Sequence, residues 1–240
     1  MAKFETELAG SAIVAEGTMA FRLKKPPAFQ FKAGQAMNVM LLDPPETDGK
    51  GNARTFSIVS APFEDELVIA TRLRDTAFKR VLRALPAGAK LQFGGPSGQF
   101  TLDDDNDAPA VFLAGGIGIT PFVSMLRQAA HDRVPRKLQL LYSNRRPEDA
   151  AFLAELQQLQ LRNPNYRFVG TMTGMEKSRQ PWSGEIGPID KDMLARSIDD
   201  INAPTYYIAG PPAMVDAMQN MLSGSGVKEE QIRTDEFYGY

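Results

Sequence analysis

The chain has no cysteine in 240 residues. Disulfides, thiolate catalysis, Cys-based zinc sites and Cys-ligated iron–sulfur clusters are thereby excluded within it. Histidine occurs once, as His131, which leaves almost no room for imidazole chemistry. Beside Asp132 and Arg133 it shows no metal-ligand spacing, so it reads as a solvated helix end and no metal is expected. An excess of one charge is missing too: 27 Lys and Arg stand against 29 Asp and Glu, for a formal net charge of −2. Without surplus cations to neutralise phosphates, nucleic acid is not an expected partner. The opening Met1-Ala2-Lys3-Phe4-Glu5 is too polar for a signal peptide. The longest uncharged run, residues 108–126, has the length of a membrane span. Its middle carries Gly115, Gly116, Gly118, Thr120 and Pro121, however, which suits a buried strand, a tight turn and a helix start. The expectation is a cytoplasmic protein with no membrane span.

What is present falls into two halves. Hydrophobic residues make up 43% of the chain, enough for a real core. Short β-forming stretches dominate the first hundred residues, at 19–23, 35–42, 54–59, 66–71 and 90–94, with turn signals between them and one helix near 76–85. These predict a small antiparallel barrel or sandwich. The acidic run Asp103-Asp104-Asp105-Asn106-Asp107 follows, and the domain boundary is placed there, giving domains 1–104 and 105–240. Beyond it, strands at 110–114, 137–142, 166–171, 205–209 and 231–237 alternate with helices at 121–132, 147–161, 191–198 and 212–222. Five such strands predict a doubly wound α/β domain on a parallel sheet.

Several motifs carry chemistry. In Ala114-Gly115-Gly116-Ile117-Gly118-Ile119-Thr120-Pro121, a buried strand meets glycines and then a helix. Glycines let backbone approach a pyrophosphate, and a helix start supplies N–H donors. Thr120 is expected as the N-cap and Pro121 as the first helical residue; a tight turn with no ligand is the plainer alternative. The next strand ends in Tyr142-Ser143-Asn144-Arg145-Arg146, where an NAD-specific site usually places an acidic residue. Hydroxyl, amide and guanidinium groups there suit a 2′-phosphate, which leans toward NADPH. Gly210-Pro211-Pro212 closes another strand at its carboxyl end. In Arg54-Thr55-Phe56-Ser57, alternation puts a cation and an aromatic on one face. From Arg72 to Arg80 the chain runs from strand to helix, with Asp75 or Thr76 as cap. Lys79, Arg80 and Arg83 would share a helical face, either solvated or docking an acidic partner. Trp182 either shapes a site or packs a loop.

Taken in order, Phe31-Lys32-Ala33-Gly34-Gln35, Arg54-Thr55-Phe56-Ser57, Gly95-Pro96-Ser97-Gly98, the Gly115–Pro121 turn, Tyr142-Ser143-Asn144-Arg145 and Gly210-Pro211-Pro212 resemble the ferredoxin-NADP reductase superfamily along nearly the whole chain. The resemblance implies a flavin-binding, Greek-key antiparallel β-barrel and an NAD(P)-binding domain, with FAD between them and FMN as the alternative. Arg54 and Thr55 would hold the flavin pyrophosphate side, and Phe56 would stack where the family usually has Tyr. Ser57 would lie near flavin N5. Thr71, Arg72, Thr76 and Ala77 would approach the flavin chain and its phosphates. Gly115, Gly116, Gly118, Thr120 and Pro121 would face the NAD(P)H pyrophosphate, with Gly210 and Pro211 opposite. Ser143, Asn144 and Arg145 would contact the adenosine ribose. In the tail, Glu236 joins Ser57 as a catalytic candidate; one aromatic of Phe237, Tyr238 and Tyr240 would cover the flavin ring, with Phe237 counted among the cofactor-binding residues. Three departures stand out: Ala209 replaces a frequent Cys, the flavin-phosphate turn carries Asp75 without the usual leading Gly, and these 240 residues have neither the length nor any Cys for the iron–sulfur domain of the oxygenase-reductase relatives. The implied activity is NADPH- or NADH-dependent flavoprotein reduction of a redox protein such as ferredoxin. Reduction of free flavin, quinone or ferric chelate is one alternative; a non-catalytic electron-transfer subunit is the other.

Overall fold

The computed structural model describes residues 2–102 and 108–238. The boundary expected between residues 104 and 105 lies outside the described residues. The chain divides into two compact units, Met1–Leu102 with Thr120–Gln128, and Asp103–Ile119 with Ala129–Tyr240.

The first unit holds a six-stranded antiparallel sheet in the order β4-β3-β6-β1-β2-β5. Its strands are β1 (Lys3–Ala15), β2 (Thr18–Lys24), β3 (Ala36–Leu41), β4 (Ala53–Ser57), β5 (Glu66–Arg72) and β6 (Lys90–Ser97). Helix α1 (Ala77–Ala84) interrupts them. The first strand was not foreseen, although Phe4, Thr6 and Leu8 turn increasingly inward along its first half. Small residues at Ala9, Gly10, Ser11 and Ala12 mask its β-propensity. They also let one strand serve two partners: Lys3–Glu7 pairs with β6, and the stretch from Leu8 pairs with β2 across a register shift. Strands β3 and β4 form a hairpin, and β6 returns to lie beside β3, a Greek-key connection. The sheet is barrel-like but not closed by a continuous ladder. Past the end of β4, the Val59 N–H donates to Val68 O of β5 at 2.7 Å. Phe21, Phe29, Met37, Val39, Ile69 and Phe93 fill the interior. The front of helix α2 (Thr120–His131) belongs to this unit: buried Ser124 donates to Ser60 O at 2.7 Å, and Arg127 pairs with Glu64 at 3.2 Å.

The second unit is an all-parallel sheet of six strands rather than five, in the order β10-β9-β8-β7-β11-β12. They are β7 (Ala110–Gly115), β8 (Leu138–Asn144), β9 (Tyr166–Met172), β10 (Glu185–Ile186), β11 (Thr205–Gly210) and β12 (Ile232–Glu236). The additional strand, β10, has two residues at an edge, too few to show any period. Strands β7 and β11 are buried at every position, as expected where helices cover both faces. Helices α3 (Leu153–Arg162), α4 (Lys191–Ser197) and α5 (Pro212–Ser223) complete the unit. The helix expected over 147–161 is broken: Pro147–Asp149 forms a 3-10 turn, and Phe152 at φ 61° separates it from α3. From β7 the chain winds outward through β8, β9 and β10, then crosses to β11 and β12 on the other side. The strand order therefore reverses between β7 and β11, and ligands of open parallel sheets bind at the carboxyl ends beside such a reversal.

Candidate functional site

In the first unit, β4 and β5 are the two ends of the sheet order, so beyond the Val59–Val68 bond their facing edges lack a ladder and keep backbone donors and acceptors for another partner. Arg54 lies on this part of β4. Its Nη1 donates to the carbonyls of Lys50, Gly51 and Ala53, and its Nη2 to Asp48 at 2.6 Å. The guanidinium is thus held in place by the 48–51 turn and stacks 5.1 Å over the Phe78 ring. Phe56 lies 5.9 Å from the same ring. Sequence reasoning grouped Arg54 with Phe56 but missed Phe78, whose place at the start of α1 was its only signal.

Thr76 is the N-cap of α1, accepting from the Lys79 amide at 3.4 Å; Asp75 instead pairs with Arg80. Of the basic residues on α1, Arg80 is tied to Glu46 and Asp75, Arg83 is exposed and Lys79 is half-buried. Burial, with Arg74 and Arg54 adding repulsion, holds the Lys79 ammonium below its ordinary pKa. Ser57, Thr71 and Ala77 are buried, Thr55 is exposed, and Arg72 is half-buried at the end of β5. Arg54, Phe56, Phe78 and Lys79 are thus brought together beside the capped start of α1.

In the second unit the glycine turn sits at the sheet reversal. Gly116–Ile119 forms a 3-10 turn that runs directly into α2, so Thr120 is the first α-helical residue rather than its cap. Gly116 takes φ 53°. Tyr142 donates to Gly116 O at 3.1 Å and reaches Ala151 O at 3.3 Å, fixing the turn from below. A Cβ at Gly118 would collide with Ala209 O and stand 2.6 Å from Gly210 N. A Cβ at Gly115 would collide with Met214 and reach 3.1 Å from Pro211, while Gly210 lies against Gly115 backbone. Gly115, Gly118, Gly210 and Pro211 therefore converge, and close packing of turn against strand leaves no room for side chains there.

At the end of β8, Ser143 is half-buried, Arg145 exposed and Asn144 buried. Both Asn144 amide atoms lack a partner, which asks for an absent ligand or water. Arg146 is engaged by Asp149 at 2.8 and 2.9 Å. The following loop is pinned to this strand end: Thr173 N donates to Asn144 O at 2.9 Å and Gly174 N to Arg145 O at 2.8 Å. That brings in exposed Lys177 and Arg179, which sequence reasoning missed because they lie over thirty residues further on. Glu148 accepts from Ser178 and the Arg179 amide, and these bonds hold its carboxyl below the usual range despite burial.

The tail follows β12. Phe237 N donates to Gly210 O at 2.9 Å, and Tyr238 donates to Glu236. Glu236 is thus in the second unit and Ser57 in the first; Tyr240 lies outside the described residues. Asp235, in register with Ala209, is pushed up from 3.8 to about 6 by burial. A raised folded-state pKa means the folded chain holds that proton more tightly. Stability from this group is therefore full below pH 3.8, falls as pH rises toward 6, and stays reduced above it. Asp235→Asn should raise the melting free energy at pH 7.5 by on the order of 2 kcal/mol, with the gain vanishing near pH 4. Thermal melts of both proteins across that range check this; a pH-independent difference would contradict it.

Among the described residues no helix is long and apolar enough to cross a membrane and no acidic or histidine cluster is built to hold a metal.

Residues 112–220 match the family model for the oxidoreductase NAD-binding domain. The chain is 30% identical over 229 residues to ferredoxin–NADP reductase B of Sorangium cellulosum, covering 91% of this chain and 90% of that protein. It is 29% identical to the reductase component of propane 2-monooxygenase from Rhodococcus jostii, covering 89% of this chain, and spans 57% of that protein's length. For the glycine betaine monooxygenase reductase subunit of Chromohalobacter salexigens the values are 29%, 92% and 60%. Among solved structures, a ferredoxin NADP+ reductase from Neisseria gonorrhoeae, with bound FAD and NADP, superposes with a TM-score of 0.80 at 24% identity, covering 98% of each chain. The chain belongs to the ferredoxin–NADP reductase superfamily.

Proposed function

We propose that this chain is an NAD(P)H-dependent flavoprotein reductase, with residues 1–104 taking the flavin and residues 105–240 the nicotinamide dinucleotide. The observation that carries the reading is the cation cluster on the first unit. Lys79 is half-buried and lies near Arg74 and near Arg54, itself paired with Asp48, beside two aromatic rings and a capped helix start. Crowded cations of this kind are relieved by an anion, and a flat ring with a diphosphate supplies both the anion and the stacking partner. Two phosphates against three cations fit FAD better than FMN. Flavin, when bound, accepts hydride from nicotinamide at N5 and releases the electrons onward. The residues themselves bind, stack and exclude water. Arg54 orients the diphosphate, Phe56 carries the ring, and Ser57 and Glu236 are assigned to the reacting end. The notch of Gly115, Gly118 and Gly210 takes the dinucleotide pyrophosphate, with Asn144 at the ribose.

The electron acceptor is a redox protein of ferredoxin type, a reading supported by the Sorangium relative covered over most of its length. Turnover of the FAD-loaded chain with reduced nicotinamide should be faster with ferredoxin than with free flavin, quinone or ferric chelate. The reverse order would assign it to small acceptors, and flavin binding without nicotinamide oxidation would leave a non-catalytic subunit.

NADPH is the proposed donor. Arg145, with Lys177 and Arg179 brought near by the 173–174 backbone bonds, offers exposed positive charge at the strand end, where Glu148 is engaged by Ser178 and the Arg179 amide. Arg145→Gln should lower the ratio of kcat/KM for NADPH over NADH by about tenfold, the value of one exposed charge-assisted contact to phosphate. Steady-state kinetics with both cofactors measure it, and an unchanged ratio would remove Arg145 from the 2′-phosphate site.

A further inference from the structure

We propose that the amino-terminal edge of the parallel sheet carries a second small-molecule site, built for a small organic monocarboxylate with an apolar body. A cavity of about 450 Å³ lies there, lined by Val111, Gln139, Arg167, Ile198 and Pro204, with Asp199 and Asp200 also in its wall. That size is ordinary for a small-ligand pocket. The site is distinct from the dinucleotide notch. Ala110 and Val111 open β7, whereas Gly115 closes it, a separation of roughly 15 Å along the strand.

The chemistry follows from register. Val111 stands opposite Gln139, and Gln139 opposite Arg167, so all three side chains share one sheet face. Val111 belongs to the apolar cluster against which Ile198 packs, which makes this the core-facing side. Gln139 is therefore a polar residue on an interior strand where an apolar one would pack. Its Nε2 is buried with no hydrogen-bond partner. Such an orphan donor is destabilising and calls for a partner. The neighbouring Arg167 adds a planar guanidinium fork. An amide N–H beside a guanidinium accepts a carboxylate, and Val111, Ile198 and Pro204 cover hydrocarbon. Asp199 and Asp200 are exposed, and Asp200 already accepts from the Asn202 amide at 2.9 Å. Their charge repels a second anionic group and limits the ligand to one carboxylate.

The probe is 4-fluorobenzoate, followed by fluorine NMR with the FAD-loaded chain. Saturable line broadening is expected, and Arg167→Gln should weaken the affinity at least about tenfold, the value of one charge-assisted contact. Gln139→Leu should abolish binding and, without ligand, raise the melting temperature, since an orphan donor gives way to an apolar group. If Gln139→Leu fails to fold, Arg167→Gln on the exposed rim carries the test. No saturable binding to the natural chain, or equal affinity in Arg167→Gln, would overturn the proposal. Reduction of the flavin by nicotinamide, followed in the same samples, should be unchanged in Arg167→Gln, so failure of this site and failure of the reductase reading are told apart.

Discussion

Gly118→Ala should lower kcat/KM for the nicotinamide cofactor by about 100-fold, the scale of an ångström misplacement in a binding turn. The added methyl has nowhere to go. It would overlap Ala209 O and stand 2.6 Å from Gly210 N, both backbone atoms of the buried strand β11. A flexible side chain could swing away; a strand bonded on both sides to β7 and β12 cannot. The glycine turn must move instead, carrying its N–H groups away from the place proposed for the pyrophosphate. Overpacking of this kind also costs about 1–3 kcal/mol of stability, so activity is read on protein shown to be folded by its melt. Flavin content should stay near that of the natural chain, because the turn is not assigned to flavin. A folded Gly118→Ala protein with ordinary kinetics would remove the notch from the dinucleotide site.

Arg54→Ala should weaken FAD binding by about 10- to 100-fold, the loss of charge-assisted bonds to a diphosphate. Arg54 is held on Asp48, two turn carbonyls and the carbonyl of Ala53, so its guanidinium needs little ordering when the ligand arrives. Truncation removes that prepared charge and unseats the 48–51 turn. Arg54→Lys keeps a charge but not the fork and should recover only part of the affinity. Flavin fluorescence during titration of the apoprotein measures all three affinities. Equal affinity in Arg54→Ala would move the diphosphate away from the cation cluster.

Long periodic elements were legible in the sequence because they obey one rule throughout. The strand around Val111 is an uninterrupted apolar run and those around Leu140 and Ile208 are largely apolar, and the glycines at the end of β7 mark where such a run must stop. The strand over Lys3–Ala15 was hidden by small residues whose role is to let it change partners. Strand β10 is too short to show a pattern, and the break at Phe152 depends on a backbone conformation that its residue type does not announce. In the candidate site, Arg54, Phe56 and Gly118 carried local signals. Phe78, Lys177 and Arg179 did not, since only the fold brings them to their partners. Helical spacing alone does not reveal that Lys79 is half-buried while Arg80 and Arg83 stay exposed.

The central claim is tested most directly by anaerobic titration of the FAD-loaded chain with NADPH and NADH in parallel, followed by flavin absorbance. Rapid bleaching by NADPH and slow bleaching by NADH is the expected result. A flavin that stays oxidised with both would contradict the reductase reading.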